Sequence, residues 1–470
     1  MLRSNEKERY GDLHDFFVIG AILLAAGSGT ILHGQTNSAV ALPLSETCQL
    51  AAGKSDRTAA LFKEISVGRG LSSVFDALGA MFAQNGNTLC AIESFQLALH
   101  FNSASWQTRH NLALALMEIG RHEDAAQNLK AALRLKPGSS VLHNALGTAL
   151  QNLGELDASA NEFKAALRID PAFAYAGSNL AQVLHTQGKH TAEVYYLEQA
   201  LQSGPPRDLL YSLRLALGAA YDELGGAENT ERAIVTFRSL IAAFPQSAEA
   251  RFNLGTLYAR HTRFNAAKPE FEETLKLDSH YDAARLSLGK TLLEAGQNAA
   301  AMAPLEEYTR RKPHDFEGHL VLGRVRRGLG DFLRAADALR QAVTLNPNSY
   351  DARYNLGFVL ARLEKSDDAI EHLEAAGKLN PSAPEAPYEL SRIFARRNDP
   401  ERAAQESQKF QEAKQARDRE ENLGVLGAKA NDLLRQGDAQ GAAEVYREIL
   451  RQNPSDNPTP APIRQRKAGS

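Results

Sequence analysis

The chain has 470 residues, with 53 Lys+Arg against 56 Asp+Glu, 43% apolar residues and 23% charged ones. That balance belongs to globular proteins and excludes a wholly disordered, collagen-like or multispanning membrane chain. The net charge of -3 argues against a dedicated nucleic-acid binder, and the two thiols, Cys48 and Cys90, build neither a structural zinc site nor a disulfide-dense scaffold.

From Phe16 to Ser45 there is no Asp, Glu, Lys or Arg, and Phe16–Ala26 reads FFVIGAILLAA. An apolar core followed by the small residues Ala39-Val40-Ala41 is the pattern of a secretory signal cleaved before Leu42. A retained membrane tether through residues 16–34 competes, because that stretch approaches the ~20 residues needed to span a bilayer. An ordinary buried helix is the third reading. Export to a periplasmic or cell-envelope compartment would permit a disulfide between Cys48 and Cys90. The alternative is two unpaired small hydrophobes.

Beyond residue 71 the chain repeats itself. Pro137, Pro171 and Pro205 are 34 residues apart, as are Gly255, Gly289, Gly323 and Gly357, and Pro313, Pro347 and Pro381. Aligned on these marks, eleven units begin near Ser72, Trp106, Ser140, Ala174, Tyr211, Ala248, Asp282, Phe316, Tyr350, Pro384 and Leu423. Each reads as two helices and a tight turn. The first helix carries a Leu-Gly pair, as in Leu78-Gly79, Leu146-Gly147 and Leu254-Gly255. Glycine costs about 1 kcal/mol in a helix interior, so its recurrence at one register predicts close approach of a neighbouring helix. An Ala twelve residues later (Ala91, Ala125, Ala267) is the expected other half of that crossing, followed four residues on by an aromatic or Leu such as Phe95, Leu129 or Phe163. A glycine such as Gly86 or Gly120 marks the turn, and the Pro ends the unit.

This combination of Leu-Gly, Ala, Phe or Leu, and Pro at a 34-residue period resembles the tetratricopeptide repeat, over about four-fifths of the chain. The resemblance implies an all-α fold, with antiparallel helix pairs stacked into a right-handed superhelical solenoid around a concave groove. The physics agrees: one helix pair cannot bury its apolar face alone, whereas stacked pairs share a continuous core. Two departures stand out. The unit at Tyr211 carries three extra residues around 225–230, predicted as a loop or kink. The unit at Pro384 has Ser391 and Ser407 at the Gly and large-apolar positions, and its second helix runs on through the charged segment 412–422.

The resulting organisation is a signal or anchor at 1–41, a linker at 42–71, repeats at 72–210 and 211–422, a last repeat or cap at 423–456, and a Pro-rich tail at 457–470, expected to be disordered. No phosphate loop, nucleophile elbow or paired-histidine zinc motif occurs, so catalytic residues, metal ligands and cofactors are not expected. Function is therefore sought on the inner surface, which the resemblance assigns mainly to the first helix of each unit.

The sixth repeat position carries Asn111, Asn179, Asn253 and Asn355, whose amides can grip a peptide main chain or merely cap and solvate helices. The later units place Arg260, Lys290, Arg324, Arg327, Arg362, Arg392 and Arg396 on the same face, where earlier units have neutral residues such as His110, Asn144 and Gln182. Such a surface either attracts acidic segments or is a set of solvated faces paired with local acids. The sequence thus predicts a non-catalytic scaffold that binds extended protein segments, with no nucleic acid. A scaffold subunit of a polysaccharide export or secretion complex is the alternative.

Overall fold

The computed structural model describes residues 44, 45, 47, 48 and 70–452. The expected signal or tether at 1–41, most of the linker, and the Pro-rich tail lie outside the described residues. The chain divides into two compact units, residues 1–245 and 246–470, a division that falls one repeat later than the 210/211 boundary read from sequence.

Local chemistry writes each helix pair. Five of the first helices open on a side-chain cap. The Oγ of Ser105 accepts the Thr108 N–H at 3.2 Å, Ser349 accepts that of Ala352 at 3.2 Å, and the carboxylate of Asp315 accepts that of Gly318 at 2.8 Å. Each such cap stabilises its helix by about 1 kcal/mol. First helices end in a left-handed turn, at φ 71° for Gly86 and 77° for Gly120, where only glycine avoids a steric penalty.

The first unit holds ten helices among the described residues: α1 (Leu71–Gln84), α2 (Thr88–Phe101), α3 (Trp106–Glu118), α4 (His122–Leu135), α5 (Ser140–Asn152), α6 (Leu156–Ile169), α7 (Ala174–Thr186), α8 (His190–Gln202), α9 (Arg207–Leu224) and α10 (Ala227–Ala243). Consecutive helices pack as pairs, and successive first helices, α1 with α3 through α7 with α9, also touch. They therefore line the inner, tighter face of the unit. Leu44 and Cys48, both 3% exposed, join the core of the first two pairs, and the Ser45 hydroxyl donates to Glu93 at 2.7 Å. The loop expected at 225–230 is instead a two-glycine turn. Gly225 and Gly226 take φ 66° and 83°, α10 starts at Ala227, and the extra residues lengthen both helices.

The second unit holds α11 (Ala248–Arg260), α12 (Phe264–Leu277), α13 (Asp282–Glu294), α14 (Asn298–Arg311), α15 (Phe316–Gly328), α16 (Phe332–Leu345), α17 (Tyr350–Arg362), α18 (Ser366–Leu379), α19 (Glu385–Arg396), α20 (Pro400–Arg435) and α21 (Ala439–Gln452). No strand occurs among the described residues of either unit. The 36-residue α20 fuses the second helix of the tenth repeat with the first of the eleventh and buries only Ala413 and Ala430.

The glycine register marks the close helix approach that was expected, and the second helix's large side chain is what a Cβ would meet. A Cβ on Gly79 would stand 2.6 Å from the ring of Phe95, and one on Gly147 2.6 Å from that of Phe163. Gly218 and Gly255 face Phe237 and Phe271 in the same way, while Gly289, Gly323 and Gly357 face Leu305, Leu339 and Leu373. The glycine is therefore a socket for the large side chain of the second helix, and the residue twelve positions on packs beside it: the Ala369 carbonyl would lie 3.2 Å from a Cβ on Gly357, and the Ser159 hydroxyl donates to the Gly147 carbonyl at 2.7 Å. Where the register holds Ala113 or Ala181, the residue sixteen positions on is Leu129 or Leu197, and never Phe. A methyl and a phenyl ring cannot share the volume.

Candidate partner-binding faces

In the first unit two inner-face amides bond to each other across neighbouring first helices. Asn179 on α7 donates to the Oδ1 of Asn144 on α5 at 3.0 Å, so the amide ties neighbouring first helices together. Asn111 is half-buried on α3. Next to it, burial pushes the imidazole of His110 down to about 4, which keeps the ring neutral at physiological pH.

The second unit presents a different chemistry. Asn253 is half-buried on α11 and Arg260 is exposed at its end. Asn355 is 4% exposed, and its amide donates back to the Asp351 carbonyl at 2.7 Å. It is a core residue of its own helix rather than a surface contact, because its side chain folds onto the preceding turn. Several of the expected cations already have acidic neighbours. Lys290 Nζ lies 2.6 Å from Glu317, Arg324 lies 3.2 Å from Glu294, and Arg392 lies 3.7 Å from Glu389. The exposed pairs, Lys290–Glu317 and Arg324–Glu294, are worth about 0–1 kcal/mol each, yet they cancel part of the positive field that the sequence suggested.

Arg327 and Arg362 behave otherwise. Their guanidinium carbons sit 4.9 and 4.7 Å from the ring centre of Phe358, and neither has a carboxylate within ion-pair distance among the described residues. Phe358 continues an aromatic row on α17, with Tyr350 and Tyr354 stacked at 5.9 Å and Tyr354 6.3 Å from Phe358. Burial raises the Tyr354 hydroxyl above its ordinary value, and Arg327 beside it offsets part of that rise. On α19, Arg392 lies over the Tyr388 ring at 5.6 Å, and Arg396 is exposed one turn on. The sequence reading missed these aromatics. Their spacing of four residues along α17 was the available signal, but it reads equally as a buried stripe.

A family model described as "Tetratricopeptide repeat" matches residues 144–208, 219–264, 320–376, 359–418 and 428–457. Two further models of the same description match 259–325 and 107–139. Among solved structures the chain is similar to MamA, at 24% identity over 35% of this chain and 96% of that one, with a TM-score of 0.34. It is similar to MamA from Desulfovibrio magneticus RS-1 at 22% identity over 37% of this chain and 96% of that one, with a TM-score of 0.35. It is also similar to a tetratricopeptide repeat protein from Parabacteroides merdae, at 18% identity over 54% of this chain and 98% of that one, with a TM-score of 0.39. No curated protein matches. No helix among the described residues is long and apolar enough to cross a membrane.

Proposed function

The chain belongs to the tetratricopeptide repeat family and is a non-catalytic interaction scaffold, and from that premise we propose that the inner face of its second unit binds an extended, acidic segment of a partner protein. The supporting observation is the Arg327–Phe358–Arg362 cluster. A guanidinium stacked on a ring keeps its plane rigid and its in-plane N–H donors available for bidentate contact with a carboxylate. Lys290 and Arg324, already paired with glutamates, contribute less. Arg392 and Arg396 extend the same face along α19.

The test uses a labelled, extended Asp/Glu-rich peptide with neutral and basic controls, titrated across salt. The wild-type chain binds the acidic peptide, and Arg327→Glu with Arg362→Glu weakens it at least tenfold. Unchanged affinity in that double variant overturns the proposal. A uronate polymer run in parallel covers the polysaccharide reading: if it binds through the same two arginines and the acidic peptide does not, the partner is a polysaccharide.

Export belongs to the same proposal. Cys48 and Cys90 form a disulfide with Cα atoms 5.4 Å apart, and that bond supports an oxidising compartment. A mature N-terminus at Leu42 on sequencing of the native protein is the expected outcome.

A further inference from the structure

One register position breaks the repeat rule. Twelve residues after the socket position, nine of the eleven units carry alanine and one carries Ser159; the register includes Ala233, displaced by the insertion. The fourth unit carries Glu193 there. Its side chain is not extruded: the residue is 3% exposed in the same tight space that alanine fills elsewhere. Burying a carboxylate costs several kcal/mol unless other charges compensate, so a repeat that needed only packing would keep alanine.

Three further side chains converge on Glu193 from three helices: His185 near the end of α7, His190 at the start of α8 and Glu223 near the end of α9. Their ligand atoms all lie within 4.8 Å of one another. His190 Nδ1 is 2.9 Å from Glu193 Oε2 and 3.1 Å from Glu223 Oε2. His185 Nδ1 is 3.3 Å from Glu193 Oε2 and 3.4 Å from Glu223 Oε2. A tetrahedral metal with bonds of about 2.0–2.1 Å sets its ligands about 3.3 Å apart. The four imidazole-to-carboxylate distances, 2.9–3.4 Å, are close to that spacing.

We propose that His185, His190, Glu193 and Glu223 form a tetrahedral site for a divalent cation of the zinc type, joining the fourth and fifth repeats. The charge closes: two carboxylates and two neutral imidazoles, each holding its proton on Nε2, carry -2, which one M2+ cancels. Imidazole ligands favour zinc over magnesium or calcium, which take all-oxygen shells. The site is structural, because four protein ligands leave no open position for a substrate. Sequence reading overlooked it because the histidines, five residues apart, fit no metal motif; Glu193 in an alanine register was the visible clue.

The experiment uses the full chain, freed of metal with chelator and kept non-reducing so that Cys48 and Cys90 offer no thiolate. Zn2+ alone is titrated calorimetrically, and Co2+ serves as a spectroscopic probe. The expected result is one Zn2+ per chain, the strong visible bands of tetrahedral Co2+, and a melting temperature raised by Zn2+. Glu193→Ala installs the alanine of the other repeats, so it folds, and it weakens Zn2+ binding at least 100-fold and abolishes the thermal shift. His185→Ala with His190→Ala does the same. Two results overturn the proposal: Zn2+ affinity within threefold of wild type in Glu193→Ala, or a weak octahedral Co2+ spectrum. Either leaves the cluster a histidine–glutamate ion-pair network only.

Discussion

The two units solve the same packing problem with different residues, and the contrast shows what fills the glycine register. In the first unit, three of five sockets hold a phenylalanine, Phe95, Phe163 and Phe237, and all three are at most 4% exposed. Every turn within its pairs uses glycine. In the second unit the glycine sockets hold Phe271 and then leucines, the last two units put Ser391 and Ala430 where the glycine stood, opposite Ser407 and a 39%-exposed Tyr446, and three of the turns hold Thr262, Glu364 and Asn398 at positive φ. Three aromatics of its first helices are less enclosed: Tyr354 and Phe358 are only partly buried and Tyr388 is 43% exposed. An aromatic ring enclosed by a glycine socket stabilises the repeat; the rings of Tyr354 and Phe358, partly buried beneath arginines, belong to the proposed binding face.

The largest test of this contrast is truncation of the filling residue. Phe163→Ala should cost about 3–5 kcal/mol, the range for emptying a buried aromatic site, while Tyr446→Ala should cost under about 1 kcal/mol. Denaturant melts with hydrogen exchange followed repeat by repeat are the appropriate measurement, because repeat arrays open locally. Equal losses at the two positions would remove the distinction. The next largest effect is overpacking. Gly147→Ala gains about 1 kcal/mol of helix propensity and loses about 1–3 kcal/mol to the clash with Phe163, so a net loss is expected in urea midpoint. Adding Phe163→Leu recreates the Ala113/Leu129 pairing and should recover it; failure to recover would show that the socket is not the cause. The smallest effect lies in the turns. Glu364→Gly should raise stability by about 1 kcal/mol by removing a left-handed residue other than glycine, measured as an upward shift in melting temperature.

Much of this was legible in the chain. The 34-residue period, the helix pairs and the turn glycines are local, and the first helices begin at Trp106, Ser140, Ala174, Ala248, Asp282, Phe316 and Tyr350, as the alignment placed them. The candidate face was legible only in part. Helical periodicity put the arginines on one side, but it could not say that Lys290 and Arg324 meet Glu317 and Glu294, some thirty residues away on neighbouring first helices. Nor could it say that Asn355 turns back onto its own helix.

By itself the sequence determined a repeat, its length, its helices and the places where a side chain is forbidden, because backbone sterics and amphipathic spacing act within a few residues. Tertiary structure alone decided what fills each forbidden space and which charges meet. The Phe163 ring, the Arg327–Phe358–Arg362 stack and the cluster around Glu193 each join different helices. Such contacts depend on how one helix sits on the next, within a pair or between pairs, and that geometry is set by side-chain volume in the shared core rather than by any local rule.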